Sequence, residues 1–165
     1  MDDDSLFTER TKIENLVTVL ESTDATIVGG DVPLRGQFCY FIGKLTCVKT
    51  TEHKTDLILQ NSVIYEVLEH FPKCYRLDIV PNFFISTKES IISSGGWDED
   101  LFVMEHEDFF LRQIYNGHKV VFCQDVRIEH VQLVDFIRLK RLVLQNYHLQ
   151  NGMAKNGFSD FRHVH

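Results

Sequence analysis

The sequence lacks the features that mark several large classes of protein. It has no run of Lys or Arg that could neutralise phosphates, and its formal net charge is −7, which argues against a nucleic-acid binder. No apolar stretch approaches the roughly 18 residues that a membrane span needs. With 44% hydrophobic and 25% charged residues, its composition is that of a globular chain. Its 165 residues are enough for one domain or a piece of one.

Signals for a cellular compartment are also scarce. Residues 1–4 read MDDD, the reverse of a signal peptide, so the chain read literally is cytosolic. The four cysteines follow neither a Cys-x-x-Cys nor a zinc-site spacing, and no Asn-x-Ser/Thr glycosylation site is present. Cys39 and Cys47 lie on either side of a predicted hairpin, where they either pair or remain buried free thiols.

Helix and strand signals alternate along the chain, which predicts an α/β fold with a mixed sheet. Thr11 and Glu14 have the spacing of a capping box, which predicts the start of the first helix. The other helices are expected from residue 87 to Gly95, over 105–116 and over 134–149. Strands are expected over 25–28 (ended by Gly29 and Gly30), over 38–48 as a hairpin that turns near Gly43, and over 76–80, 83–86, 119–123 and 126–130.

The carboxylates of Asp2, Asp3 and Asp4 form the first candidate site. If these residues end a strand, Asp2 and Asp4 point the same way, because side chains alternate along a strand. Two such carboxylates can hold a divalent cation, which can neutralise a diphosphate. The alternative is a solvated acidic terminus, and these residues alone leave both interpretations open.

A second and denser acidic cluster lies between residues 98 and 108. Its six carboxylates alternate with large apolar side chains, which a solvated acidic face would not usually contain. Glu105 and Asp108 share a face at a helix N-terminus, where the helix dipole favours negative charge. The cluster therefore either caps the helix or supplies a general base near a sugar hydroxyl. His130, at the end of the last predicted strand, is an ordinary polar residue unless aspartates lie beside it.

Taken together, these segments resemble a GT-A glycosyltransferase, most closely the β-1,4-N-acetylgalactosaminyltransferases of the ganglioside-synthase type. The stretches that carry the resemblance are DDDSLFTERTKIENLVTVLE, IVGGDV, VPNFFIST, SGGWDEDL, EHEDFFLRQIYNG and CQDVRIEHV. They occur in the family's order. The resemblance implies that residues 1–131 form the metal, donor and acceptor half of a GT-A domain, with 132–165 as its C-terminal helix and tail.

The implied activity is an inverting, metal-dependent transfer of N-acetylgalactosamine from UDP-GalNAc to a glycan hydroxyl in β-1,4 linkage. The acceptor would be a glycolipid or a glycoprotein. Asp2 and Asp4 match the motif that bridges Mn²⁺ (or Mg²⁺) to the UDP diphosphate, and Asp3 between them would touch the ribose or the sugar. His130 matches a further metal ligand of many GT-A enzymes.

An inverting enzyme also needs a carboxylate that deprotonates the acceptor hydroxyl, and the acidic helix matches the family's acceptor and base region. Many relatives read Glu-Asp-x-Asp there, followed by Arg. In this chain His106 stands at the place of the usual Asp, with Arg112 downstream. The expected base is Asp108, with Glu105 next and His106 as a substitute.

The resemblance assigns further residues to the donor and to a disulfide. Trp97 and Asp98 match a turn that lies against the donor sugar or the acceptor, and Asn82 fits the neighbouring strand. In the resembled fold, Cys74 and Cys123 lie on strands that flank the acidic site, which predicts a disulfide between them. A disulfide suits the Golgi lumen, where this family acts.

The resemblance also sets expectations for the extent of the chain. In the family, a membrane anchor, a stem and the βα units that hold uracil and ribose precede the Asp-x-Asp motif. The chain is therefore expected to be truncated at its N-terminus, or to be completed by a partner chain. The alternatives are a non-catalytic binding module, an enzyme for another UDP-sugar, and a phosphohydrolase that uses the aspartates. A homodimer is also left open.

Overall fold

The computed structural model describes residues 5–33, 41–50, 54–61, 65–131 and 136–164. Its helices are α1 (Ile13–Ser22), α2 (Lys88–Ser94), α3 (Glu105–Tyr115) and α4 (Phe136–Lys155). Its strands are β1 (Ser5–Leu6), β2 (Ile27–Asp31), β3 (Lys44–Lys49), β4 (Thr55–Gln60), β5 (Glu66–Leu68), β6 (Phe71–Leu77), β7 (Phe84–Ser86), β8 (Val120–Arg127), β9 (Glu129–His130) and β10 (Asp160–Val164). The predicted α/β class is confirmed.

A five-stranded mixed sheet, of strand order β5-β6-β8-β2-β7, forms the centre of the described chain. β2 and β8 are parallel neighbours, whereas β6 and β7 run antiparallel to them. Side chains of a strand alternate between the two faces of a sheet. One face packs against Leu16 and Val19 of α1, and the other packs against Phe109 and Phe110 of α3. The acidic helix and α1 therefore cover opposite faces.

Two smaller sheets contain the remaining described strands. The first has the order β10-β4-β3, with β3 antiparallel and β10 parallel to β4. The second pairs β1 with β9 in antiparallel fashion and places Ser5 opposite His130. This pairing brings the residue that follows Asp4 next to the predicted metal-binding histidine.

The two consecutive glycines of β2 have a different role from the one predicted. We expected Gly29 and Gly30 to end a strand, yet both lie inside β2, which continues to Asp31. A Cβ atom on Gly29 would lie 2.6 Å from Val80 Cγ2, and one on Gly30 would lie 2.5 Å from Phe83 Cε1. Glycine is required here because the neighbouring segment approaches the strand closely.

The start of α1 also differs from its prediction. The helix begins at Ile13 after Lys12, with no side-chain cap. The hydroxyl of Thr11 donates to the Arg127 carbonyl at 2.7 Å, and its oxygen accepts from the Thr8 backbone N–H at 2.8 Å. The capping-box prediction is wrong because the Thr11 hydroxyl donates to a distant carbonyl of β8 and does not cap the helix.

Two strand predictions also need correction. Residues 41–48 do not form half of a hairpin around Gly43, because β3 begins after this glycine and pairs with β4. Residues 38–40 of that prediction lie outside the described chain. The strands expected over 119–123 and 126–130 become one continuous β8 followed by the short β9.

The helix predictions agree better with the structure. The Thr87 side chain accepts from the Ser90 backbone N–H at the start of α2, and Gly95 ends this helix with a φ of 79°. Glycine adopts this left-handed conformation without the steric cost of a Cβ atom. α3 matches its prediction within one residue, whereas α4 continues to Lys155, beyond its predicted end.

A disulfide joins the two central strands β6 and β8. Cys74 and Cys123 face each other in the antiparallel register, and the structure joins them with their Cα atoms 4.1 Å apart. Cys47 has a free and exposed thiol, so a buried Cys47 is a wrong prediction. Cys39 lies outside the described residues. The disulfide therefore links two neighbouring strands of the sheet that carries α3.

We predict that the double substitution Cys74→Ala and Cys123→Ala lowers the free energy of unfolding by about 4 kcal/mol, because the unfolded chain regains the entropy of a closed loop. The loop spans a sequence separation of 49 residues. Urea denaturation without reductant measures the change, and Cys47→Ala serves as the matched control. Equal stability of the double variant and the control would contradict the prediction.

Candidate active site

The acidic cluster lies on a turn after α2, here called the acidic turn (residues 97–104), and on the first turn of α3. Met104 precedes α3 with a φ of 67°, a left-handed conformation that is strained for a residue with a Cβ atom. Its side chain is buried in a cluster with Leu57 and Leu111. Apolar packing thus holds the backbone conformation that starts the acidic helix.

His106 is buried within a group of aromatic rings. Its Nε2 lies 2.7 Å from the Val80 carbonyl oxygen, and because a carbonyl only accepts, Nε2 carries the proton. The ring of Trp97 stacks on His106 at 5.9 Å, and the ring of Phe41 lies edge-on at 4.9 Å. Since Nε2 is already protonated, this nitrogen cannot act as the base.

Asp108 is buried and bound to Arg112. Its Oδ2 accepts hydrogen bonds from Arg112 Nε at 2.9 Å and from the guanidinium NH2 group at 2.5 Å. The same guanidinium donates to the Ser94 carbonyl at the end of α2. Arg112 therefore balances the charge of Asp108 and ties the first turn of α3 to α2.

Glu107 is the most unusual carboxyl group of the site. Its side chain is buried, and burial raises the pKa of Glu107 to about 7, with a further increase from the charge of Glu105. Its own backbone N–H opposes this shift. Glu107 was not among the site residues predicted from the sequence, although Met104 and Leu111 fall on the same helical face and indicate burial. Glu105 itself is half-buried.

Asp98 is bound by a distant lysine. Lys155 Nζ lies 2.5 Å from Asp98 Oδ2 and 3.5 Å from Asp100 Oδ2. This contact holds the pKa of Asp98 below its usual value. The neighbouring Trp97 is 40% exposed and stacks on Phe109 at 4.4 Å. Of the two residues in this turn that the resemblance assigns to the donor, Trp97 presents an exposed ring, whereas the Asp98 carboxylate is already bound by Lys155.

Asn82 and His130 lie on two other parts of the site. Asn82 is half-buried and lies two residues after Val80, whose carbonyl binds His106. His130 lies opposite Ser5, while Asp2, Asp3 and Asp4 are outside the described residues. Within the part of the chain that the structure describes, no three His, Cys, Asp or Glu side chains are grouped as a metal site.

A polar cavity of about 650 Å³ lies on the α1 side of the large sheet, beside the carboxyl end of β8. It is lined by charged and amide side chains, namely Glu9, Arg10, Lys12, Asn15, Lys73, Gln124, Asp125 and Arg127. No local sequence pattern indicates this cavity, because its lining residues come from three separate segments. No described helix is long and apolar enough to cross a membrane.

Known proteins resemble this chain over most of its length. β-1,4 N-acetylgalactosaminyltransferase 1 of Rattus norvegicus is 32% identical over 135 residues, which cover 81% of this chain and 25% of that enzyme. The Homo sapiens enzyme of the same name is 33% identical over 131 residues, covering 79% and 24%. β-1,4 N-acetylgalactosaminyltransferase 2 of Mus musculus is 35% identical over 131 residues, with the same coverage.

The chain is homologous to β-1,4 N-acetylgalactosaminyltransferases. The resemblance seen in the sequence is thereby confirmed. The chain spans about a quarter of the length of these N-acetylgalactosaminyltransferases. No protein-family model matches it, and neither does any solved structure.

In this glycosyltransferase homologue, we predict that stability falls as the pH rises from about 5 to 8. Because the pKa of Glu107 is raised to about 7 by burial, the folded chain holds this proton more tightly than the unfolded chain does. The stabilisation is complete below the unfolded pKa near 4.5 and is lost as the pH passes 7.

The variant Glu107→Gln should remove this dependence and gain roughly 3 kcal/mol at most over the wild type at pH 8. Urea denaturation at several pH values measures the difference, with Glu89→Gln, at an exposed position of α2, as the control. A wild type and a Glu107→Gln variant with parallel pH profiles would show that Glu107 does not hold its proton in the folded state.

Proposed function

We propose that this chain is the metal, donor and acceptor half of a GT-A N-acetylgalactosaminyltransferase domain. It would take part in an inverting transfer of N-acetylgalactosamine from UDP-GalNAc to a glycan hydroxyl in β-1,4 linkage. The observation that carries the proposal is the 32–35% identity to named N-acetylgalactosaminyltransferases over about four fifths of the chain. In this proposal, residues 1–131 belong to the domain and 132–165 form its C-terminal helix and tail.

The metal site of the proposal combines the acidic N-terminus with His130. Asp2 and Asp4 would bind Mn²⁺ or Mg²⁺, Asp3 would face the ribose or sugar, and His130 would be a further ligand. The pairing of Ser5 with His130 supports this grouping, because it directs the segment after Asp4 alongside the histidine. Carboxylates and an imidazole suit Mn²⁺, and a bound cation neutralises the charge of a departing UDP.

Asp108 remains our proposed general base, with Glu105 next and His106 as a substitute. Its carboxylate is held in one position by Arg112, and fixed orientation favours proton transfer from a bound hydroxyl. Glu107 is another candidate for the base, because its pKa of about 7 suits a base that operates at neutral pH. Because Glu107 and Asp108 are equally buried, it is the match to the family's base region and the fixed orientation given by Arg112 that favour Asp108.

The donor would lie near Trp97, Asp98 and Asn82. Trp97 presents an exposed ring, and an aromatic face can stack on the apolar face of a pyranose. A glycolipid or a glycoprotein would supply the acceptor hydroxyl, and the Golgi lumen is the proposed compartment, to which the disulfide is suited. An enzyme for another UDP-sugar and a non-catalytic binding module are the competing functions.

The proposal predicts metal-dependent binding of UDP-GalNAc. Calorimetric titration of the chain should show heat of binding with Mn²⁺ present and none with EDTA. Asp4→Asn should weaken the affinity by roughly 10- to 100-fold because it removes a metal ligand. Glu21→Gln, on an exposed position of α1, is the matched control.

The competing functions give different titrations. Equal affinity for UDP-galactose or UDP-N-acetylglucosamine would favour an enzyme for another UDP-sugar. No binding of any UDP-sugar by the folded chain would contradict the proposed donor site and favour the non-catalytic module. Release of inorganic phosphate from a nucleotide would support the phosphohydrolase instead.

A further inference from the structure

The last two turns of α4 pack directly against the acidic turn. A Cβ atom on Gly152 would lie 3.0 Å from the Val103 carbonyl oxygen and 3.1 Å from Met104 Cβ. Leu149 and Met153 pack with Met104 in one hydrophobic cluster. The C-terminal half of α4 therefore covers the part of the acidic turn that leads into α3.

Lys155 reaches the opposite end of the same turn. Its Nζ lies 2.5 Å from Asp98 Oδ2, while Asp98 Oδ1 accepts from the Asp100 backbone N–H at 3.0 Å. The Asp98 side chain is only 20% exposed, against 43% for Lys155. Both oxygens of Asp98 are thus used by the protein, one to shape the turn and one to attach it to α4.

We propose that Lys155 is a positioning residue that fixes the Trp97–Asp98 turn and so orients the Trp97 ring towards a bound donor. The inference rests on the proposed function, because it gives the turn a ligand. Asp98 then acts through the turn and makes no contact with the donor itself. This assignment differs from the one that the sequence resemblance implies.

The physical basis is that a partly exposed ion pair has little effect on overall stability but can select one conformation of a turn. Exposed pairs are weak because water and salt screen them. Trp97 follows the two glycines that end α2, and glycine restricts the backbone little. In the structure the N–H groups of Gly95 and Gly96 donate to the Ile92 and Ile91 carbonyls, which ties the chain before Trp97 to α2, and the link from Asp98 to Lys155 restrains the chain after it.

The sole tryptophan of the chain reports on this turn directly. In Lys155→Met, we expect acrylamide to quench Trp97 fluorescence about twice as effectively as in the wild type, and UDP-GalNAc with Mn²⁺ to bind roughly tenfold more weakly. Lys155→Arg should restore both values, because it keeps a positive charge within reach of Asp98. Lys88→Met, at an exposed position of α2, should change neither.

A double-mutant cycle distinguishes positioning from direct contact. If Asp98 acts through Lys155, then Asp98→Asn and Lys155→Met each weaken UDP-GalNAc binding, and the double variant is no weaker than the single ones. If Asp98 itself binds the donor, Asp98→Asn weakens binding more than Lys155→Met does, which would overturn the assignment of Lys155.

The remaining outcomes separate this inference from the proposed function. Unchanged quenching and unchanged affinity in Lys155→Met would overturn the positioning role while leaving donor binding by the wild type intact. Changed quenching with unchanged affinity would show that Lys155 is only structural, which also overturns the proposal. A folded wild type that binds no UDP-sugar would contradict the proposed function, and the positioning role would fail with it.

Discussion

The structure of the candidate site depends on how the first turn of α3 accommodates three buried ionisable groups. Burial of a charge is costly unless a partner or a proton compensates it. Arg112 pairs with Asp108, and the Val80 carbonyl accepts from His106. Burial raises the pKa of Glu107 to about 7, so this group keeps its proton below that pH. Each buried group is compensated in a different way, and together these contacts allow the acidic first turn of α3 to pack against the sheet.

These contacts also connect the site to the rest of the fold. Arg112 reaches the end of α2 through the Ser94 carbonyl, and His106 reaches the segment after β6 through Val80. On the other side, Gly152 and Lys155 of α4 hold the acidic turn. The site is thus assembled from four segments, which together place the exposed Trp97 of the acidic turn beside the buried carboxylates of α3.

Local signals were sufficient to predict the helices around this site. Thr87 and Gly95 mark the ends of α2 through contacts within a few residues, and the acidic start of α3 follows from helix electrostatics. The pair of Asp108 and Arg112 is also visible as an i,i+4 spacing. The alternation of helix and strand signals likewise predicted the α/β class, and the order of the matching stretches along the chain indicated the family.

Features that depend on distant segments could not be predicted in this way. Gly29 and Gly30 resemble strand terminators until Val80 and Phe83 are placed against them. Thr11 resembles a helix cap until the Arg127 carbonyl takes its hydroxyl. The contact of Asp98 with Lys155 depends on the path of α4 back to the turn, which no local pattern encodes.

The most direct test of the account is the rate of N-acetylgalactosamine transfer to a glycan by the wild type and by Asp108→Asn. The single Trp97 reports whether both proteins are folded. We expect a rate at least roughly 100-fold lower for the folded variant, because a carboxamide cannot accept the proton of the acceptor hydroxyl. Equal transfer rates for the two folded proteins would contradict the claim that the first turn of α3 supplies the base through Asp108.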